Sequence, residues 1–116
     1  MSQLAEPKHG EIWIADIDKR RPVVILTRDP LGSFLHSVLI APVTSKKRML
    51  STEVPVGPAE GIYLESVASF DNMQQVSREK LRSRVGVVSP ETAERICFAL
   101  SVATGCADLD LGDFAT

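Results

Sequence analysis

Residues 10–17 alternate, with Ile12, Ile14 and Asp16 on one side and Trp13, Ala15 and Ile17 on the other, which is the period of two that a β-strand gives its side chains. A polar turn at 18–20 and the Arg21-Pro22 step lead into Val23, Val24, Ile25 and Leu26. That run is β-branched, too short for a helix and apolar on both faces, so it predicts a central strand. Pro30, Gly32 and Ser33 mark a loop, and 37–44 predicts a third strand in which Pro42 requires an edge, a bulge or a strand end. After a basic loop come an edge strand over 52–56, a turn from Gly57 to Gly61 and a strand over 62–70. Residues 71–75 form a polar stretch closing that strand, Ser77 caps a single helical turn, and 85–88 is short and β-like.

Helical spacing enters near the end of the chain. Ser89-Pro90-Glu91 opens a helix: Ser caps, Pro lacks only an N–H that the first turn leaves unpaired, and Glu suits the positive end of the helix dipole. Ala93, Ile96, Cys97, Leu100 and Ala103 then recur at three- and four-residue spacing, and Gly105 is placed to stop the helix. Cys97 lies on this stripe and is expected in the core. Strands followed by a terminal helix, without regular alternation, predict an α+β fold: a small, strongly curved antiparallel β-barrel with a C-terminal helix. Its functional groups belong on loops at one rim. The division is a loose leader over 1–9, a single domain over 10–105 and an acidic tail over 106–116.

Composition narrows the function. The 116 residues allow one core and leave no room for separate cofactor and substrate halves. No apolar run approaches the roughly 18 residues of a membrane span, and no charged start followed by an apolar stretch marks a signal peptide, so a cytoplasmic location is expected. Cys97 and Cys106 have neither the spacing of a metal site nor the number of a disulfide framework. Net charge is −2, but Asp108, Asp110 and Asp113 fall in the tail, so the chain without it carries +1. Eleven of its 13 Lys and Arg residues form three groups: Lys19, Arg20, Arg21 and Arg28; Lys46, Lys47 and Arg48; and Arg78, Lys80, Arg82 and Arg84. Brought to one face they make a phosphate-binding patch; left apart they are solvated turns.

Glycine-rich phosphate loops, nucleophile elbows and His-Glu-x-x-His are missing, and His9 and His36 lie at loops. What remains is a set of cations, the Thr44 hydroxyl, and the Asp71 carboxylate beside Asn72, Gln74 and Gln75. These suit RNA, which carries its own nucleophile in the 2′-hydroxyl. Arg21 presents a rigid, permanently charged fork to phosphate oxygens, Thr44 donates to a non-bridging oxygen, and Asp71 takes the 2′-hydroxyl proton. The same residues also admit a structural account, in which Arg21 pairs with a strand-end carboxylate, Thr44 serves its strand and Asp71 caps a turn.

Gly10-Glu11-Ile12-Trp13 with Ala15-Asp16, then Arg21-Pro22-Val23-Val24, Ala41-Pro42-Val43-Thr44 and Phe70-Asp71-Asn72, followed by a closing helix, resemble the MazF/PemK/Kid toxins of bacterial toxin–antitoxin systems. The resemblance implies an SH3-like barrel, a homodimer, and a metal-independent, sequence-specific endoribonuclease that needs no cofactor. Its products from single-stranded RNA would carry 2′,3′-cyclic phosphate and 5′-hydroxyl ends. It implies Arg21 and Thr44 as the catalytic pair and, after the later strand, Asp71 and Asn72 as RNA contacts, with Asp71 a base. Asp16, Lys19, Arg20, Ser45, Lys46, Lys47, Asn72 and Gln74 complete the candidate RNA surface. Family members commonly carry Arg where this chain has Gln74, so either that phosphate contact is missing or a cation such as Arg78 replaces it. The first loop is shorter than in many members, which implies different base recognition. The partner implied is an antitoxin whose acidic, apolar segment folds onto the cationic rim. A gyrase poison resembling CcdB is the alternative of the same fold, but its Trp-Gly-Ile ending is missing here. A non-catalytic small-barrel adaptor for nucleic acid is the other.

Overall fold

Val23, Val24 and Ile25 are fully buried with successive side chains on opposite faces, so their strand needs packing on both sides. The computed structural model, which describes residues 4–106, supplies it. Strands β1 (Glu11–Asp16), β2 (Arg20–Ile25), β3 (Ser37–Thr44), β4 (Glu53–Val56), β5 (Ser66–Ser69), β6 (Gln74–Ser77) and β7 (Leu81–Val87) precede helix α1 (Pro90–Thr104). All pairings are antiparallel, in the order β4-β5-β3-β2-β1-β7, with β6 a third partner of β3. Val24 joins a core with Ile12, Ala41, Val54, Phe70 and the helix residues Ile96 and Ala99. Val23 and Ile25 join a second cluster with Val38, Ile40, Val76 and Leu81, against which Trp13 packs.

Pro42 sits inside the central strand rather than at an edge. It is tolerated because β3 changes partner there: its pairs with β6 end at Ile40 and those with β5 begin at Val43. The absent N–H falls at the seam between the two ladders. The same change of partner carries Thr44 to the end of β3, at the barrel rim.

The two sheet edges, β4 and β7, meet through a turn instead of a ladder. The 3₁₀ turn Pro58–Glu60 ends in Gly61, at φ +90°, and lies on β7. A methyl group on Gly86 would stand 1.9 Å from the Glu60 carbonyl oxygen, so only glycine admits this approach.

Several expectations change. The strand over 62–70 contracts to β5, because Gly61 turns the chain and Tyr63, Leu64 and Glu65 are exposed. The polar stretch over 71–75 divides into a 3₁₀ turn, Phe70–Asn72, and the start of β6, which is made a strand by pairing with β3 and not by apolar alternation. Helix α1 opens at the Ser89 cap, whose hydroxyl accepts from Thr92 N–H at 3.1 Å, and Gly105 ends it at φ +79°. Its buried residues are Thr92, Ile96 and Ala99, and Leu100 and Ala103 of the expected stripe pack against the same core, whereas Cys97 is exposed. The leader expected to be loose over 1–9 includes a buried Pro7, and the Ala5 carbonyl accepts from Arg78 Nε at 2.7 Å. Of the tail expected over 106–116, all but the exposed Cys106 lies outside the described residues.

Candidate active site

The register of β2 on β3 pairs Val23 with Pro42. Continued two residues toward the rim, it sets Arg21 opposite Thr44, and opposed residues of an antiparallel pair point to the same face. The two side chains form a ridge between two clefts, each of which both of them line.

The first cleft, of 350 Å³, is completed by Asp18, Lys46, Arg48, Asn72 and Gln74. Asn72 Nδ2 donates to Ser69 Oγ at 2.8 Å, which fixes the amide and leaves its oxygen and second N–H for a ligand. The second cleft, of 450 Å³, is completed by Lys19, Arg20, Ser45, Lys46, Tyr63 and Leu64, among others. Lys19, Arg20 and Arg21 of the first basic group and Lys46 and Arg48 of the second therefore line the two clefts, whereas Arg28 and Lys47 do not. The third group lines neither. Arg78 is buried, donating to the carbonyls of Ala5, Ser33 and Leu35, so it ties the leader to the 31–35 loop and cannot stand in for the missing family arginine. Arg82 pairs with Asp16 and Arg84 with Glu11, the latter at 2.6 Å.

Arg21 meets Asp18 side-on, Nε donating to Oδ1 at 3.1 Å and Nη2 to Oδ2 at 2.8 Å. The strand-end carboxylate of the structural account thus exists. Burial would raise the Asp18 carboxyl, but the Lys19 backbone N–H and the Arg21 charge outweigh it and hold it below its ordinary pKa. Thr44 Oγ1 accepts the Lys46 N–H at 3.1 Å, which engages the oxygen's acceptor side and leaves its one proton free to donate.

The remaining candidates separate. Asp71, expected to accept the 2′-hydroxyl proton, lines neither cleft, and its Oδ2 accepts from the Thr52 hydroxyl. Asp16 also lines neither; hydrogen bonds from Arg20 and then Arg82 lower its carboxyl. Lys47 lines two other hollows, beside β4. Sequence reasoning missed Asp18 and Tyr63 as site residues, and had Arg48 only as a member of a basic group. For Asp18 the signal was present, an acid three residues before Arg21 in a turn short enough to fold it back. Nothing in the pattern marked Tyr63, which becomes a cleft residue only because β5 begins late.

Residues 8–103 match the family model described as PemK-like, MazF-like toxin of type II toxin-antitoxin system. The chain belongs to this family. Endoribonuclease MazF3 of Mycobacterium tuberculosis is 42% identical over 89 residues, covering 73% of this chain and 86% of that protein. The solved structure of the Mycobacterium tuberculosis toxin MazF-mt6 superposes with a TM-score of 0.81 at 36% identity, over 84% of this chain and 98% of that one. A mycobacterial endoribonuclease solved in complex with its cognate antitoxin shares the fold, with a TM-score of 0.79 at 24% identity over 87% and 97%. The MazF-like chain carries its Arg21–Thr44 ridge within the matched span. Among its described residues no helix is long and apolar enough to cross a membrane.

Proposed function

We propose that this MazF-family toxin is an endoribonuclease that cleaves single-stranded RNA on the Arg21–Thr44 ridge, by attack of a ribose 2′-oxygen on the adjacent phosphorus. The new P–O2′ bond displaces the 5′-oxygen, leaving a 2′,3′-cyclic phosphate and a 5′-hydroxyl. The attacking hydroxyl gives up one proton and the departing oxygen takes one, so the balance closes without metal or cofactor. The observation that supports this reading is that Arg21 and Thr44, from neighbouring strands, both line each of two clefts that also hold Lys46 and further cations.

Charge grows on the non-bridging oxygens as phosphorus becomes five-coordinate. Arg21 answers it with a fixed positive fork, and Thr44 with its free proton. Lys19, Arg20, Lys46 and Arg48 hold the flanking phosphates, while Asn72 and Gln74 read base edges with donor and acceptor pairs. Asp71 contributes by position: its bond to Thr52 anchors the turn that presents Asn72. The toxin acts in the cytoplasm as a homodimer, restrained by an antitoxin whose acidic segment covers the same cations.

The test is incubation with long mixed-sequence RNA in excess EDTA, followed by mapping of both ends. Cuts at defined sites with cyclic phosphate termini, lost in Arg21→Ala, are expected. Intact RNA, or cleavage that requires Mg²⁺, overturns the proposal; RNA binding without cleavage favours the adaptor.

A further inference from the structure

We propose that Asp18 is a positioning residue for Arg21, gripping the side edge of the guanidinium so that its end edge is already aimed at the scissile phosphate when RNA arrives. This rests on the reading of the ridge as the site of RNA cleavage.

The donors can be counted. A guanidinium has five N–H groups, and Asp18 takes one from Nε and one from Nη2. The second Nη2 proton and both Nη1 protons remain, and the Nη2 proton with one from Nη1 forms the end-on planar fork of the same group, matched to two phosphate oxygens. Asp18 therefore occupies Arg21 without exhausting it. A carboxylate gripping the Nη1–Nη2 end would have blocked the phosphate instead.

The exposures fit this division. The Arg21 side chain is 20% exposed and that of Asp18 is 68% exposed, so the acid braces the guanidinium from the solvent side while the arginine lies along the cleft wall. The brace depends on a short turn. Asp16 pairs with Arg20 across the β1–β2 hairpin, and the Ile17 N–H donates to the Lys19 carbonyl at 3.2 Å, leaving Asp18 at the tip. From there its carboxylate reaches an arginine only three residues along the chain. A long first loop would carry the acid away, so the brace is a property of this short turn.

Asp18 also bears the negative charge in a cleft whose other charged residues are Arg21, Lys46 and Arg48. Binding and turnover should therefore respond in opposite directions when it is neutralised. Asp18→Asn removes a charge that repels RNA, so KM should stay level or fall a few-fold, and the salt dependence of binding should steepen. The same change loosens the fork, so kcat should fall about tenfold, the scale expected from a slightly misplaced catalytic group. Asp18→Glu keeps the carboxylate on a longer arm and should recover much of kcat. A loss of folded protein would not separate kcat from KM in this way.

Two measurements decide it. In the free protein the Arg21 Nε–H should give a dispersed, slowly exchanging NMR signal that collapses toward the solvent-exposed position in Asp18→Asn. In single-turnover and steady-state cleavage of RNA carrying a mapped site, kcat should fall with KM level or lower. If Asp18→Asn leaves kcat unchanged, or raises it, the carboxylate is a bystander or a competitor and the positioning role is overturned, while loss of activity in Arg21→Ala still upholds the nuclease reading. If wild-type RNA stays intact although the Nε–H signal is protected, both fall.

Discussion

Thr44→Val isolates the proposed chemistry, because it exchanges a hydroxyl for a methyl group of similar shape and keeps the β-branch that suits the end of β3. The change costs the fold little. Its folded-state loss is one acceptor, for the Lys46 N–H at 3.1 Å, and that N–H lies in an exposed loop where water replaces the partner. A penalty near the low end for a hydrogen bond, about 0.5 kcal/mol, is expected, with a melting shift of no more than about 3 °C. The cost to the reaction is larger. One preorganised donor to a developing oxyanion contributes about 10²–10³ in kcat, or roughly 2.7–4 kcal/mol, because it acts on charge that the ground state lacks. Single-turnover cleavage of an RNA with a mapped site, in excess EDTA, measures this directly, and thermal unfolding of the same preparation measures the fold. Thr44→Ser, which keeps the proton donor, should remain within about tenfold of wild type. The reasoning fails if Thr44→Val cleaves within about threefold of wild type, or if Ser and Val are equally impaired, since packing and not the proton would then matter.

Asp71→Asn should retain the bond from Thr52 and keep activity within about tenfold in the same assay, whereas loss of a general base would cost about 10²–10⁴. Gly86→Ala should destabilise by about 1–2 kcal/mol, read from the urea midpoint: overpacking against the Glu60 carbonyl costs about 1–3 kcal/mol, offset by up to about 1 kcal/mol from the stiffer unfolded chain. A wild-type midpoint would mean that the turn and β7 separate freely. The Asp16 and Asp18 carboxyls are lowered in the fold, so the stability they contribute is full above the ordinary carboxylate range and is lost as pH falls through their lowered values. The unfolding midpoint should thus be insensitive to these two groups between about pH 7 and 5, and its decline below about pH 4 should be shallower in the Asp16→Asn, Asp18→Asn double variant. An equal decline in both proteins refutes this.

Local signals were legible where neighbours in sequence are also neighbours in space. The alternation over 10–17, the bounds of β3, the Ser89 cap and the Gly105 stop each rest on contacts within a few residues. So did the selection of Arg21 and Thr44 as the cation and hydroxyl worth watching, helped by their place in a family pattern. Signals set by distant partners were not legible. Strand β6 has two exposed glutamines in its four residues, and it is a strand because β3 offers unpaired backbone beside it. Cys97 stands at helical spacing with Ile96 and Leu100, yet how α1 rolls on β4 and Phe70 selects Thr92 and Ala99 for the inside.

Taken alone, the amino-acid order determines that this chain makes a curved antiparallel sheet closed by one helix, with its positive charge in three groups, because period, caps and charge are local properties. The tertiary structure decides which groups meet. It turns Arg78 inward onto three carbonyls, turns Asp71 toward Thr52, and leaves Arg21 bonded to Asp18 in a cleft that Thr44 also lines. The physical reason is that alternation assigns a side chain to a face of a strand, whereas its partner depends on how far the sheet curls and on the register of strands distant in sequence.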